Sequence, residues 1–154
     1  MSFRISGLPP APCEYWFTLD DAELRQQGAV RRIADASPGF PCRISLTDAA
    51  IGDEVLLINY EHLPVDSPYR SRHAIYIRRG EHQCDLVDDV PAMLRTRMLS
   101  VRAFDDRGMM TDAATVDGRA LEPVILKQLA DARARFLLVH FAGPGCYSAL
   151  VDRH

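Results

Sequence analysis

Val-Leu-Leu-Ile-Asn-Tyr-Glu-His-Leu-Pro-Val-Asp-Ser-Pro-Tyr-Arg-Ser-Arg-His-Ala-Ile-Tyr-Ile-Arg-Arg, residues 55–79, is the stretch on which the fold reading turns. Its first six residues contain Val-Leu-Leu-Ile without alternation, the pattern of a central strand buried on both faces. Residues 73–79 then alternate, with His73, Ile75 and Ile77 against Ala74, Tyr76 and Arg78, as in a half-buried strand. Between them, Glu61 to Arg72 is the longest connection without periodicity, twelve residues rigidified by Pro64 and Pro68. Two strands so linked imply antiparallel pairing, because a parallel crossover needs a helix or a longer connection.

Outward from this centre, Phe3–Ser6, Val30–Ala34 and Cys42–Leu46 read as further strands. Met98–Phe104 and Met109–Ala113 form a hairpin across Asp105-Asp106-Arg107-Gly108, and Phe136–Phe141 is a strong late strand, with Ala149–Val151 as a short addition. Residues 7–18 are Pro-rich and then aromatic, an arm that wraps the core. One helix starts at Asp20, where Glu23 completes a capping box and Leu19 and Leu24 form a staple, and it ends at Gly28. A second covers residues 119–132 with Leu121, Val124, Ile125 and Leu129 on one face, and Pro123 confines its start to the preceding turn or kinks it there. The expectation is one α+β domain over residues 1–154: a single curved antiparallel sheet of about six strands with two helices.

Composition bounds the function. The chain has 154 residues and a net charge of −3, with 18 basic residues of which only Lys127 is lysine. Residues 70–107 hold eight arginines against six acids, too small an excess for nucleic-acid binding. The longest run without Asp, Glu, Lys or Arg is 136–151, interrupted by Gly143, Pro144 and Gly145, so no membrane span is expected. With no signal-peptide pattern at the N-terminus, a cytoplasmic location is the expectation. Cys13, Cys42, Cys84 and Cys146 contain no CxxC pair, and Cys42, His62, His73, His140 and Cys146 lack recognised ligand spacing. No metal or other cofactor is therefore assigned, and nothing in the sequence specifies an oligomeric state.

Three segments carry candidate chemistry. In Pro38-Gly-Phe-Pro-Cys-Arg43, two prolines and a glycine aim a strand, and Arg43 is suited to hold a carboxylate or phosphate in a bidentate fork. The bland alternative is an Arg43 paired with a neighbouring acid such as Glu61. The 61–72 connection offers His62, Asp66, Tyr69, Arg70 and Arg72, with His73 next. In His140-Phe-Ala-Gly-Pro-Gly-Cys146-Tyr147 a Gly-Pro-Gly turn delivers a cysteine, and His140 is a candidate base for it. Together they suggest a pocket in which Arg43 and Arg70 anchor a small anion, with Tyr60, Glu61, His62 and His73 around it. Two other readings stay open: a thiol-dependent group-transfer enzyme using Cys146 with His140, and a non-catalytic protein-interaction domain.

Six blocks, 38–46, 57–64, 67–76, 99–105, 108–110 and 145–147, together resemble the bacterial domain of unknown function 1203 family. The likeness covers nearly the whole chain. It implies a small stand-alone bacterial protein and supplies no catalytic residue. Where the family often has Asn in the strand before Gly-Cys-Tyr, this chain has Phe141.

Overall fold

The structure is a computed structural model describing residues 1–154. It is α+β, but its strands divide between two sheets instead of the single six-stranded sheet expected. The first sheet has six antiparallel strands in the order β7 (Asp85–Val87), β1 (Phe3–Ser6), β11 (Tyr147–Arg153), β10 (Phe136–Phe141), β8 (Met98–Phe104) and β9 (Met110–Asp117). The second has five strands in the order β2 (Val30–Ile33), β5 (Glu54–Leu63), β6 (Ser71–Ile77), β3 (Pro41–Cys42) and β4 (Thr47–Asp48), with only β3 and β6 parallel. There are three α-helices, α1 (Asp21–Gln26), α2 (Ala92–Arg95) and α3 (Leu121–Ala130), and 3₁₀ turns at Ala11–Thr18 and Gly118–Ala120. No helix is long and apolar enough to cross a membrane.

The two most apolar strands explain the division. On β10, Leu137 and Val139 point into a core shared with Met93 and Leu94 of α2 and Leu121, Ile125 and Leu129 of α3. Leu138, one residue out of phase, joins Tyr147, Leu56, Ile58, Ile75 and Ile77 in a second core between the sheets. A strand apolar on both faces needs cover on both. Helices cover one side of the first sheet, and the second sheet covers the other. A fully apolar strand signals two-sided burial without saying which layer lies opposite, so the second sheet left no trace in the periodicity.

Local signals fared better. The capping box forms, with Glu23 N–H donating to Asp20 at 2.8 Å and Asp20 N–H donating to Glu23 at 2.8 Å. Leu24 is fully buried, Leu19 packs on the same cluster, and Gly28 ends the helix region at φ +72°. Pro123 sits in the first turn of α3, where its missing N–H costs nothing.

Two spans change. β5 runs on to Leu63 and β6 begins at Ser71, so the irregular connection is residues 64–70, shorter than the 61–72 expected. The strand expected over Cys42–Leu46 stops at Cys42; residues 43–46 turn, with Leu46 at φ +52°. The turn keeps Arg43, Ile44 and Leu46 all buried, which a strand open on one face could not do.

Gly7 lies where this turn meets the N-terminal segment. Its N–H donates to Cys84 O at 2.9 Å and Leu8 N–H donates to Arg43 O at 2.8 Å. A Cβ at Gly7 would stand 2.1 Å from Ile44 O and 2.7 Å from Arg43 O, both backbone atoms. The Gly7→Ala substitution is therefore expected to destabilise the fold by at least about 2 kcal/mol, measured by urea unfolding.

Candidate functional site

Arg43 is the largest fully buried side chain, 1% exposed. Where β3 ends, its N–H donates to Tyr76 O at 3.0 Å and the chain turns inward, carrying the guanidinium toward the first sheet. There Nε donates to Tyr147 O at 2.8 Å, Nη2 donates to Cys146 Sγ at 3.0 Å, and Nη1 donates to Pro41 O. No carboxylate pairs with it. Glu61, the acid weighed as its partner, is instead held by Arg70, with both contacts at 3.2 Å. Burial pushes the Arg43 pKa down, opposed by the adjacent Cys146 and Cys42. Arginine nevertheless keeps its charge in proteins, so a cation is buried here without an anion.

Beside Arg43 is a cavity of about 560 Å³. The 38–43 segment contributes Gly39, Pro41 and Arg43 to its lining, and the 141–146 turn contributes Phe141, Gly143, Pro144 and Cys146. The remainder comes from Leu57, His73, Ala74, Tyr76, Arg97 and Met98. The lining holds two arginines, a histidine, a tyrosine and a cysteine, and no Asp or Glu. The guanidinium carbons of Arg43 and Arg97 each lie 5.0 Å from the centre of the Phe141 ring. Arg97 also donates to Asp48 at 2.5 and 3.0 Å and to Met93 O at 2.8 Å, which holds it against the rim.

Of the residues singled out from sequence, Arg43, His73 and Cys146 meet at this cavity. Arg70 and Glu61 form a half-exposed pair that does not line it, and Arg70 keeps Glu61 below the usual carboxylate range. Tyr60 and His62 line a different cavity. His140 shares a strand end with Cys146 but not a hydrogen bond: its Nδ1–H donates to Gly145 O at 3.0 Å, while Cys146 Sγ accepts from Arg43. The five candidate ligands Cys42, His62, His73, His140 and Cys146 do not come together as a group of three or more that could hold a metal.

Sequence reasoning missed Arg97, Met98, Tyr76 and Leu57. Arg95-x-Arg97 has the look of a solvated segment end, and Arg95 does pair with exposed Asp89. Arg97 differs only because Asp48, 49 positions away, folds back onto it.

A bulge at the meeting of β10 and β11 sets the geometry. The register shifts between Val139 and His140, pairing His140 with Tyr147 and leaving Ser148 unpaired. The extra residue puts Tyr147 on the face of His140, toward the second sheet. There the rings of His62 and His140 lie 4.9 Å apart, and His62 stacks on Tyr147 at 5.3 Å. Arg102, whose guanidinium donates to Ser100 and pairs with no acid, adds positive charge nearby. Burial, reinforced by Arg102 and His73, brings His62 down to about 4 and His140 down to about 3. Both rings are thus neutral in the fold at neutral pH, and an imidazole in this state is a poor match for a base working at pH 7.

These depressed values make stability depend on pH. Above about pH 6.5 both folded and unfolded imidazoles are neutral, and the contribution is complete. Below it the unfolded chain takes up protons that the fold refuses, until His62 titrates near 4 and His140 near 3. Unfolding free energy is expected to fall on acidification from pH 6.5 toward 4, by up to about 1.4 kcal/mol per pH unit for each histidine. Urea titrations across that range check it.

Comparison with known proteins places the chain on the map without adding a function. No curated protein and no solved structure matches it. A family model described as Protein of unknown function (DUF1203) matches residues 39–153 of the 154, a span that contains every element lining the Arg43 cavity. The chain belongs to the DUF1203 family.

Proposed function

We propose that this protein binds a small organic anion in the Arg43 cavity. One observation carries the reading: a guanidinium 1% exposed and without a carboxylate partner borders a cavity whose lining contains no acid. Three of its five N–H groups are used within the protein, which leaves two for a ligand. Arg97 contributes a second positive charge, partly offset by Asp48. Phe141, Pro144, Leu57 and Met98 would pack on an apolar body attached to the anionic group. A volume of about 560 Å³ suits a ring or short chain bearing one carboxylate or phosphate.

A thiol role for Cys146 is the second reading, favoured by its place on the same lining and by the 3.0 Å contact from Arg43. In this reading Arg43 draws an anionic electrophile toward the sulfur. His140 serves to support the turn through Gly145 and takes no proton from Cys146.

Titration of the protein with benzoate and with phenylphosphate is expected to give saturable heat. Met98→Trp, which fills the cavity mouth, should weaken it about ten-fold or more. Absence of saturable binding for both probes would overturn the reading.

Alkylation separates the thiol reading. Burial pushes Cys13 up to about 11 and Cys42 up to about 12, so both are expected to stay unmodified at pH 7. At Cys146, negatively charged iodoacetate is expected to gain on neutral iodoacetamide relative to free cysteine, and benzoate should protect. Peptide mapping by mass spectrometry reads the ratio, and an unchanged ratio without protection would count against the thiol reading.

A further inference from the structure

A second cavity, of about 370 Å³, has the opposite electrostatic character. Its floor is the face of the first sheet that carries Phe136, Leu138 and Leu150, and Asp152 lies in that same apolar row. Opposite stand Tyr60 and His62 of β5, with Tyr147 between the layers. The Tyr60 and Tyr147 ring centres are 6.0 Å apart, and His62 stacks on Tyr147, so Tyr147 joins the two β5 rings into one wall.

Asp152 is the only acid on this lining, and there is no Lys or Arg. A carboxylate on an inter-sheet face is costly unless it is paired. The nearest cation by register is Arg4, directly across β1 from Asp152. Arg4 is turned to other partners: Nη1 contacts Asp85 at 3.3 Å and Nη2 lies 3.0 Å from His154 Nδ1. Asp152 itself makes no side-chain hydrogen bond and no ion pair, while the carboxylates of Asp48, Asp53, Asp88, Asp89 and Asp131 are all held. Burial pushes the Asp152 carboxyl up from its ordinary range, opposed by Arg4.

A half-buried carboxylate without an ion-pair partner, on the same lining as aromatic rings, is the chemistry that recognises an ammonium group: the acid supplies the counter-charge and the rings supply cation–π attraction. We infer that this cavity is a binding site for a small primary or quaternary ammonium compound, with Asp152 as its counter-ion and Tyr60 and Tyr147 as its aromatic wall. The site is separate from the Arg43 cavity, with which it shares no lining residue. Cys146 faces one and Tyr147 the other, so consecutive residues divide a cationic site from an anionic one.

The test compares two probes of nearly equal shape, benzylammonium and benzyl alcohol, followed by backbone amide NMR on the full chain. Benzylammonium is expected to give saturable shifts at Gln83, Leu150 and Asp152, and benzyl alcohol to bind at least about ten-fold more weakly. Asp152→Asn, checked for folding by circular dichroism, should remove that preference. Tyr60→Leu, which keeps the acid and deletes one ring, should weaken benzylammonium more than benzyl alcohol. Equal binding of the two probes by the natural chain, no saturable shift, or full retention of the preference in Asp152→Asn would each overturn the inference. Benzylammonium shifts centred on Arg97 and Met98 would overturn it as well. Failure of benzoate to bind bears on the Arg43 cavity alone.

Discussion

The buried guanidinium of Arg43 ties the two sheets together. It leaves the second sheet where β3 ends and donates to the main chain of Tyr147, the first residue of β11 in the other sheet. Removing a charge from water costs several kcal/mol, and hydrogen bonds made by a charged donor return about 1.5–3 kcal/mol each. Three such bonds, to Tyr147 O, Pro41 O and Cys146 Sγ, offset much of that cost and fix the 141–147 turn against the 38–43 turn. The neighbouring backbone is built to admit this side chain: Gly7 lets the N-terminal segment touch Arg43 O and Ile44 O, where no Cβ would fit. Phe141 gives the cation a π face.

Around that tie the polar groups between the layers sort by sign. His62 and His140 lie where Arg102 and His73 add positive charge and Glu61 acts against it only at His62, and both imidazoles stay neutral because burial and Arg102 resist a further charge. Asp152 sits apart on the same side of the sheet, among Phe136, Leu138 and Leu150. The bulge at Ser148 governs the arrangement. Without the extra residue, the alternation along β11 would exchange the faces of Cys146 and Tyr147 relative to β10, and the two cavities would lose the residues that divide them.

Legibility from sequence followed the range of the interaction. The capping box at Asp20 and Glu23, the left-handed Gly28 and the β8–β9 hairpin rest on contacts within a few residues, and each was readable. So was the strength of β5 and β10. The candidate site was half readable. Arg43, His73 and Cys146 come together at a cavity, whereas Arg70 and Glu61 neutralise one another at the surface and Tyr60 and His62 turn to the opposite cavity. The split arises because Tyr60 and His62 lie on the inward face of β5: His62 was hidden while residues 61–72 read as loop, and Tyr60 because a strand read as buried on both faces does not show which layer each face meets. Arg97 had no local mark at all, since its partner Asp48 comes from the other sheet.

By itself the sequence determined the longer strands and the two longer α-helices, where the first helix begins and ends, and a net charge of −3. Those properties depend on side-chain period and on neighbours along the chain. Only the tertiary structure decided that there are two sheets, that Arg43 is buried without an acid, and that Asp152 faces a cavity with no cation on its lining. Each of these depends on which face meets which layer. An apolar strand is equally satisfied by a helix or by another sheet, and an arginine by any carbonyl that the fold brings within reach.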